Sequence, residues 1–514
     1  MTDLAQPTSA LRDGVPGGST SAGFAIERLR RWPAIAAIMA VAAMCGAVSA
    51  GHPPVVLGLV ALVAGLAILA RPQRGAVVAV ALAFSNATVI ASSKYGLPEA
   101  VALVIPLLLL VVVAYDVCTR RLPLRLPRSG LWAVAFVLVE LLGALTSRDP
   151  TASIQAWTGV FTEGLVMFLL LTNAVRGFEL VRAATIALVM TAALLGTVSV
   201  AQNIGVINGD AGGFGKVSNA VIAQGDHGVG GSQRRAGPIG EQNRWAQDLA
   251  VVLPLAVAMA LTDRSRLVRR AMGASAIGIG AGMVLTFSRG AVVGLILTAL
   301  IAVFAGWIRP RVALSAAAVV VVVLVAGAPV FASRASTLAE VPSAFRGPSD
   351  SSQATDGSFD NRAVEGSAAF AVFSRHPLLG VGTGQFPTYF QDEARRLGAP
   401  RIVGVNREAH SLYLGLAAET GLLGLLTFAG LIVALQGPLV RLRRRATARR
   451  PDVAGLATGY ALAVTTYLTT GIFLHFAYIR YFWLFIGLAA AMGMVSSSDA
   501  SADPSSPLTL EKVP

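Results

Sequence analysis

The chain has 514 residues, with 41 Lys and Arg against 27 Asp and Glu and a formal net charge of +14. Only 13% of residues are charged and 55% are apolar, where a soluble chain of this length carries about 25% charged residues. With a mean hydropathy of +0.68, these figures exclude a soluble enzyme, a disordered chain and a fibre. They point to an all-α, polytopic integral membrane protein, because about 20 consecutive apolar residues cross a bilayer as helix.

The apolar runs do not alternate with polar residues, as membrane-barrel strands would. Residues 1–26 are polar and rich in Gly, Ser and Thr, and read as a disordered cytoplasmic tail. Fourteen candidate spans follow, at 32–50, 54–70, 75–91, 98–118, 130–147, 156–175, 181–203, 246–262, 270–286, 290–308, 312–333, 411–438, 453–473 and 479–496. Some are short, so about 12 to 14 transmembrane helices are expected. The organisation is then N-terminal transmembrane helices over 27–203, an extracytoplasmic loop over 204–245 and further spans over 246–333. A large extracytoplasmic loop over 334–410 precedes C-terminal spans over 411–496 and a second disordered cytoplasmic tail, 497–514.

Charge supports this order. With the N-terminus placed in the cytoplasm, the inside loops hold most of the arginines, among them Arg120, Arg121, Arg125 and Arg128, the group Arg264 to Arg270, and six within 441–450. The short outside loops hold one cation each: Lys94, Arg148, Arg289 and Arg480. That asymmetry is the positive-inside pattern. It assigns the pI near 10.7 to membrane topology, and no nucleic-acid partner is expected. The two cysteines, Cys45 and Cys118, form no disulfide framework or zinc spacing.

The two long loops differ in texture. The first is Gly-rich, with GDAGGFGK and GDHGVGG. The second opens on GPSDSSQATDGSFD, takes on helical periodicity from Asn361 to Arg375, then reaches HPLLGVGTGQF, a Pro stop with three glycines that predicts a tight turn.

Several residues at these boundaries carry chemistry. Arg289, in TFSRG, lies at the outer end of a span. A charge there is a functional hypothesis by default, and a planar guanidinium suits a diphosphate; a snorkelling interfacial Arg is the equal alternative. His410, in NREAHSLYL, lies just outside a span, and helical spacing places it on one face with Arg407, Ser411 and Leu414. A nearby cation favours the neutral imidazole that a general base needs; an interfacial His bonded to a carbonyl is the plainer reading. His376 reads as a helix C-cap contact or a substrate contact. Arg362 reads as a phosphate ligand or a solvated loop residue.

Asn243, beside Arg244, caps a helix or holds a sugar hydroxyl. Arg234 and Arg235 attract an anionic head group or form a basic rim. Arg480, between Tyr478 and Tyr481 and near His475, belongs to an aromatic belt or to a phosphate site. Lys94 and Glu163 are lone charges near span edges, and Glu163 calls for a partner on another helix. Glu419 either steadies the His410 helix or marks a re-entrant bend ahead of Gly421 and Gly424. No DxD, HExxH or Walker A pattern occurs. Neither metal nor cofactor is therefore expected, and any transferase must draw its donor from the membrane.

Four stretches together resemble the O-antigen ligase and polymerase superfamily of membrane glycosyltransferases. They are RRAGPIGEQNRWAQDLAVVLPLA at 234–256, TFSRGAVVGL at 286–295, NRAVEGSAAFAVFSRHPLLGVGTGQF at 361–386 and AHSLYLGLAAETGLLGLL at 409–426. Gln242 stands where the family has Pro before Asn243. The resemblance implies a GT-C-like fold and a glycan donor on a polyprenyl (undecaprenyl) diphosphate at the outer leaflet. It implies metal-independent, inverting transfer to a hydroxyl of a glycan, lipid or cell-wall acceptor, in polysaccharide biosynthesis at the cell envelope. By motif, His410 is the base and Arg289 a diphosphate ligand. Arg407, Arg362 and Arg480 are further diphosphate candidates, and Asn243, Arg235 and His376 are substrate contacts. The competing readings are a lipid-linked oligosaccharide flippase and a non-catalytic assembly factor.

Overall fold

Apolar runs set the helices, and small residues set how closely they meet. The computed structural model describes residues 72–217, 234–311, 357–396, 407–446, 450–475 and 479–495, all within the unit Ile68–Pro514. The N-terminal part holds α1 (Arg74–Ser85), α2 (Ala87–Tyr95), α3 (Val104–Cys118), α4 (Arg128–Leu145), α5 (Pro150–Gly159), α6 (Met167–Ala174) and α7 (Phe178–Asn203). A π-helical segment, Val160–Val166, joins α5 to α6. The hairpin β1 (Lys216–Val217) and β2 (Arg235–Gly237) is antiparallel. Then come α8 (Gln242–Thr262), α9 (Arg266–Val284), α10 (Arg289–Phe304), α11 (Gly357–Arg375), α12 (Phe386–Arg396), α13 (Leu412–Ala446), α14 (Pro451–Thr470) and α15 (Ile479–Gly493).

Among the described residues, six helical stretches are long and apolar enough to cross a membrane, or up to seven with the pair α1–α2, bent by 54°. The chain is an all-α, polytopic membrane protein. The six are Glu99–Cys118, α4, the run Pro150–Ala174, α7, α8 and α13. The spans expected at 32–50, 54–70 and 312–333, and both tails, lie outside the described residues. The other eleven expected spans each fall on helix, but α10 and α15 are shorter apolar helices, and α9 and α14 are not among the six.

The core runs through α8. Its Trp245, Leu249, Val252, Ala256 and Met259 are buried, against α14, α9 and α7. At the α7–α9 crossing the backbones touch: a Cβ on Gly196 would lie 2.6 Å from the Gly278 carbonyl oxygen. Without a hydrophobic drive between helices in lipid, such small-residue contacts and interhelical hydrogen bonds carry association. Thr298 and Thr469 share a hydroxyl bond of 2.9 Å, and Thr185 and Tyr460 one of 2.6 Å. α15 is buried along nearly its whole length from Tyr481 to Met492, as an apolar-all-round helix must be. On α3, Leu107, Leu110 and Val111 are exposed, the surface of a helix that meets hydrocarbon.

α11 and α12 form a smaller core of Ala368, Val372, Phe386 and Phe390 with Ala409 and Ala418. The link between them is the HPLLGVGTGQF turn. It docks on α13 where that helix breaks at Gly421 (φ 63°, ψ −160°), a conformation open essentially to Gly alone. Val381 and Gly382 donate to the carbonyls of Ala418 and Glu419, both at 2.9 Å, and Leu422 donates to Pro377 at 2.8 Å. A Cβ on Gly380 would lie 2.3 Å from the Glu419 carbonyl carbon, and one on Gly421 2.4 Å from Leu378. Glu419 marks a bend, as one of its readings held, and its carboxylate accepts the Phe386 N–H of α12 at 3.2 Å.

Candidate active site

The motif residues gather at the end of the bundle where α8 begins and α14 ends. Glu241 caps α8, accepting from the N–H groups of Asn243 at 3.0 Å and Arg244 at 2.6 Å. This corrects the expectation that Asn243 is the cap: Asn243 sits inside the first turn, where its own N–H needs an acceptor. Its side-chain oxygen instead accepts from Arg234 at 3.1 Å. Arg234 also donates to the carbonyl of Thr286 at 2.9 Å, and the Arg235 N–H to that of Leu285 at 3.1 Å. The first loop thereby grips the turn that leads into Ser288, Arg289 and Gly290. Phe287 in that turn has φ +53°, and Arg289 opens α10 beside Phe473, whose Cβ lies 3.1 Å from where a Gly290 Cβ would sit.

Arg244 is 2% exposed. Its guanidinium donates to the Gln247 side chain at 3.1 Å and to the His475 backbone carbonyl. Arg235 donates to the Gln202 carbonyl at 3.3 Å, and burial holds its guanidinium below the ordinary value. Neither of these forks bonds to a carboxylate among the described residues; their acceptors are an amide and carbonyls.

His410 lies just before α13, with φ +44°. Left-handed backbone is strained for a side chain with a Cβ and persists only where the surroundings hold it, often at functional sites. The expectation of a helical face shared by Arg407, His410, Ser411 and Leu414 is corrected: α13 starts at Leu412, and the chain turns at His410. Arg407 and His410 converge all the same, because both reach Glu365 on α11. Arg407 donates to Glu365 at 3.1 Å. The His410 Nδ1 lies 2.8 Å from the Glu365 Oε2 and 3.1 Å from the Glu408 carbonyl oxygen. The His410 ring packs edge-on to His475, centroids 5.6 Å apart. Burial, then Arg244 and His410, push the His475 imidazole far down, so it is neutral. Burial raises the Glu408 carboxyl, against the pull of His410 and Arg244.

The remaining candidates are more peripheral. Arg362 lies one turn before Glu365 on α11. Arg480 pairs with Glu163 at 3.3 Å and reaches Asn86 at 3.4 Å, which supplies the partner that Glu163 called for. Asn86 in turn donates to the Pro238 carbonyl at 3.2 Å, tying Arg480 to the first loop. Glu163 lies in the π-helical segment, a feature frequent at functional sites. His376 ends α11, donating its N–H to the Val372 carbonyl at 3.0 Å, and its ring meets Tyr389. It lies about 16 Å along the helix from Glu365, at 1.5 Å per residue, away from His410.

Glu365 is the residue that the sequence reading missed. The available signal was a carboxylate on an apolar stripe: Glu365, Ala368, Ala369 and Val372 are all buried on one face of α11.

A comparison with protein-family models matches residues 274–429 to the O-antigen ligase family, under a third of the chain. No curated protein matches it. The matched stretch contains three of the four motif segments, with 234–256 N-terminal to it, and it includes Arg289, Glu365, Arg407 and His410. Over this stretch the chain is similar to O-antigen ligases, which supports its place in the O-antigen ligase and polymerase superfamily.

Proposed function

We propose that the chain is a membrane glycosyltransferase that moves a glycan from a polyprenyl-diphosphate donor to an acceptor hydroxyl. The reaction occurs at the outer face of the cytoplasmic membrane, without metal and with inversion. Both termini are cytoplasmic, and the site opens to the extracytoplasmic side. The observation that carries this reading is the meeting of Arg407 and His410 on Glu365, all within the stretch similar to O-antigen ligases.

His410 takes the proton of the acceptor hydroxyl. The acceptor oxygen attacks the anomeric carbon as the bond to the diphosphate breaks, and the electron pair leaves on the phosphate oxygen. Arg289 binds the diphosphate, with Arg407, Arg362 and Arg480 around it. Fixed guanidinium groups aimed at developing phosphate charge can stabilise the leaving group electrostatically. In this reading Asn243, Arg235 and His376 contact the glycan or the acceptor. The acceptor is a glycan, a lipid or a wall polymer, in the chemistry of a ligase or a polymerase.

The test uses purified full-length protein, a polyprenyl-diphosphate-linked oligosaccharide and candidate acceptors, with EDTA present. Acceptor-dependent release of polyprenyl diphosphate is expected, falling by about 100-fold or more in His410→Ala, as for loss of a general base, and strongly in Arg289→Ala. Absence of turnover, with the intact lipid-linked sugar crossing a liposome bilayer, would make the chain a flippase and overturn the proposal.

A further inference from the structure

Glu365 is fully buried on α11, yet it is ionic in its contacts. Arg407 donates to one carboxylate oxygen at 3.1 Å. The other, Oε2, lies 2.8 Å from the His410 Nδ1 but has no aligned hydrogen bond, because the ring edge is turned toward the Glu408 carbonyl. A buried charge without its full set of partners is costly, so the arrangement calls for a reason.

The tautomer of His410 supplies one. Both neighbours of Nδ1, a backbone carbonyl and a carboxylate paired with a guanidinium, are acceptors. Nδ1 therefore carries the ring proton, and the lone pair is on Nε2. The Nε2 atom has no hydrogen-bond partner among the described residues, and the imidazole is one-third exposed. We infer that Glu365 is the positioning residue for His410: it fixes the Nδ1–H tautomer and supplies the counter-charge that the imidazolium needs once Nε2 has taken the acceptor proton. This inference rests on the assignment of His410 as the base.

In this scheme one proton moves from the acceptor hydroxyl to Nε2 and later to solvent. Glu365 keeps its bond to Arg407 throughout. A small rotation of the ring brings Nδ1–H onto Oε2 as the charge develops, so the bond tightens when the proton arrives. Hydrogen bonds at such sites are commonly long or misaligned before substrate binds. His475, packed on the other side of the imidazole and neutral, adds no competing charge. The charged groups that face His410 are Glu365 from α11, Arg407 and Glu408 from its own segment, and Arg244 from α8 beyond His475.

The test compares Glu365→Gln, Glu365→Asp, Arg407→Gln and His410→Ala, with transfer followed as polyprenyl diphosphate release across pH. Glu365→Gln is expected to lower kcat by about 10- to 100-fold, within the range for loss of general-base support, with donor KM changed less than about threefold. Without the carboxylate the imidazolium loses its counter-charge, so the acid limb of the pH profile moves to lower pH in Glu365→Gln. Glu365→Asp restores part of kcat, and Glu365→Gln adds nothing on top of His410→Ala. Arg407→Gln raises donor KM.

Two results would overturn the inference. One is Glu365→Gln with wild-type kcat and an unmoved limb while His410→Ala is inactive. The other is a fall in kcat with no limb shift and with a matching loss of thermal stability, the mark of a purely structural role. Activity retained by His410→Ala would instead remove the base assignment itself.

Discussion

The two ends of the helix bundle treat arginine differently. At the end where α7 begins and α8 ends, guanidinium groups meet carboxylates. Arg182 binds Asp263 through two bonds of 2.6 and 2.8 Å, and Arg450 binds Asp452 through two of 3.0 Å. Arg264 pairs with Glu179 at 2.5 Å, and Asp116 sits between Arg120 at 3.1 Å and Arg176 at 3.8 Å. At the opposite end Arg407 and Arg480 pair with Glu365 and Glu163, but Arg244 and Arg235 are held by carbonyls and an amide. The first arrangement neutralises charge and locks helices together. The second fixes the direction of a donor fork with no carboxylate bonded to it among the described residues.

The largest expected effect lies at the paired end. Arg182→Gln leaves the Asp263 carboxylate, itself 3% exposed, without its fork. Removing one partner of a buried pair is strongly destabilising, and a loss of about 3 kcal/mol is expected in chemical unfolding of the detergent-solubilised protein. Because the change is far from His410, donor KM in the folded fraction should not move. A raised KM there would erase the distinction between the two ends.

A smaller effect concerns acid. The His475 imidazole is held well below its ordinary value of 6.5 by burial first, then by Arg244 and His410. A group that stays neutral when folded and protonates when unfolded costs stability as pH falls below its unfolded value. Thermal stability should therefore decline as pH drops below about 6.5, and His475→Gln should flatten that decline. An unchanged slope in the variant would assign the acid sensitivity elsewhere.

Much of this architecture was legible because helices and motifs are local. Apolar runs placed α3 through α10, and the Ser-Arg-Gly and Ala-His segments pointed to Arg289 and His410. The Pro and glycines of HPLLGVGTGQF announced a turn, though not its partner. That partner is the break at Gly421, and the backbone pairing of Val381 with Ala418 joins segments that no periodicity connects. The same limit hid the Glu365 contacts, which span 42 residues to Arg407. It also hid the hold of Arg244 on His475 across 231 residues. Spacing rules describe neighbours on one element. They gave a helical face to Arg407 and His410 because they cannot register a left-handed residue at 410.

The proposed diphosphate site can be tested most directly as binding. Full-length protein in nanodiscs would be titrated with a polyprenyl diphosphate, comparing wild type with Arg289→Gln and Arg182→Gln after matching the folded fraction. Charge-assisted hydrogen bonds contribute about 1.5–3 kcal/mol each, so Arg289→Gln should weaken binding by about 10- to 100-fold, and Arg182→Gln should bind as wild type does. Equal affinity in all three proteins would contradict the account.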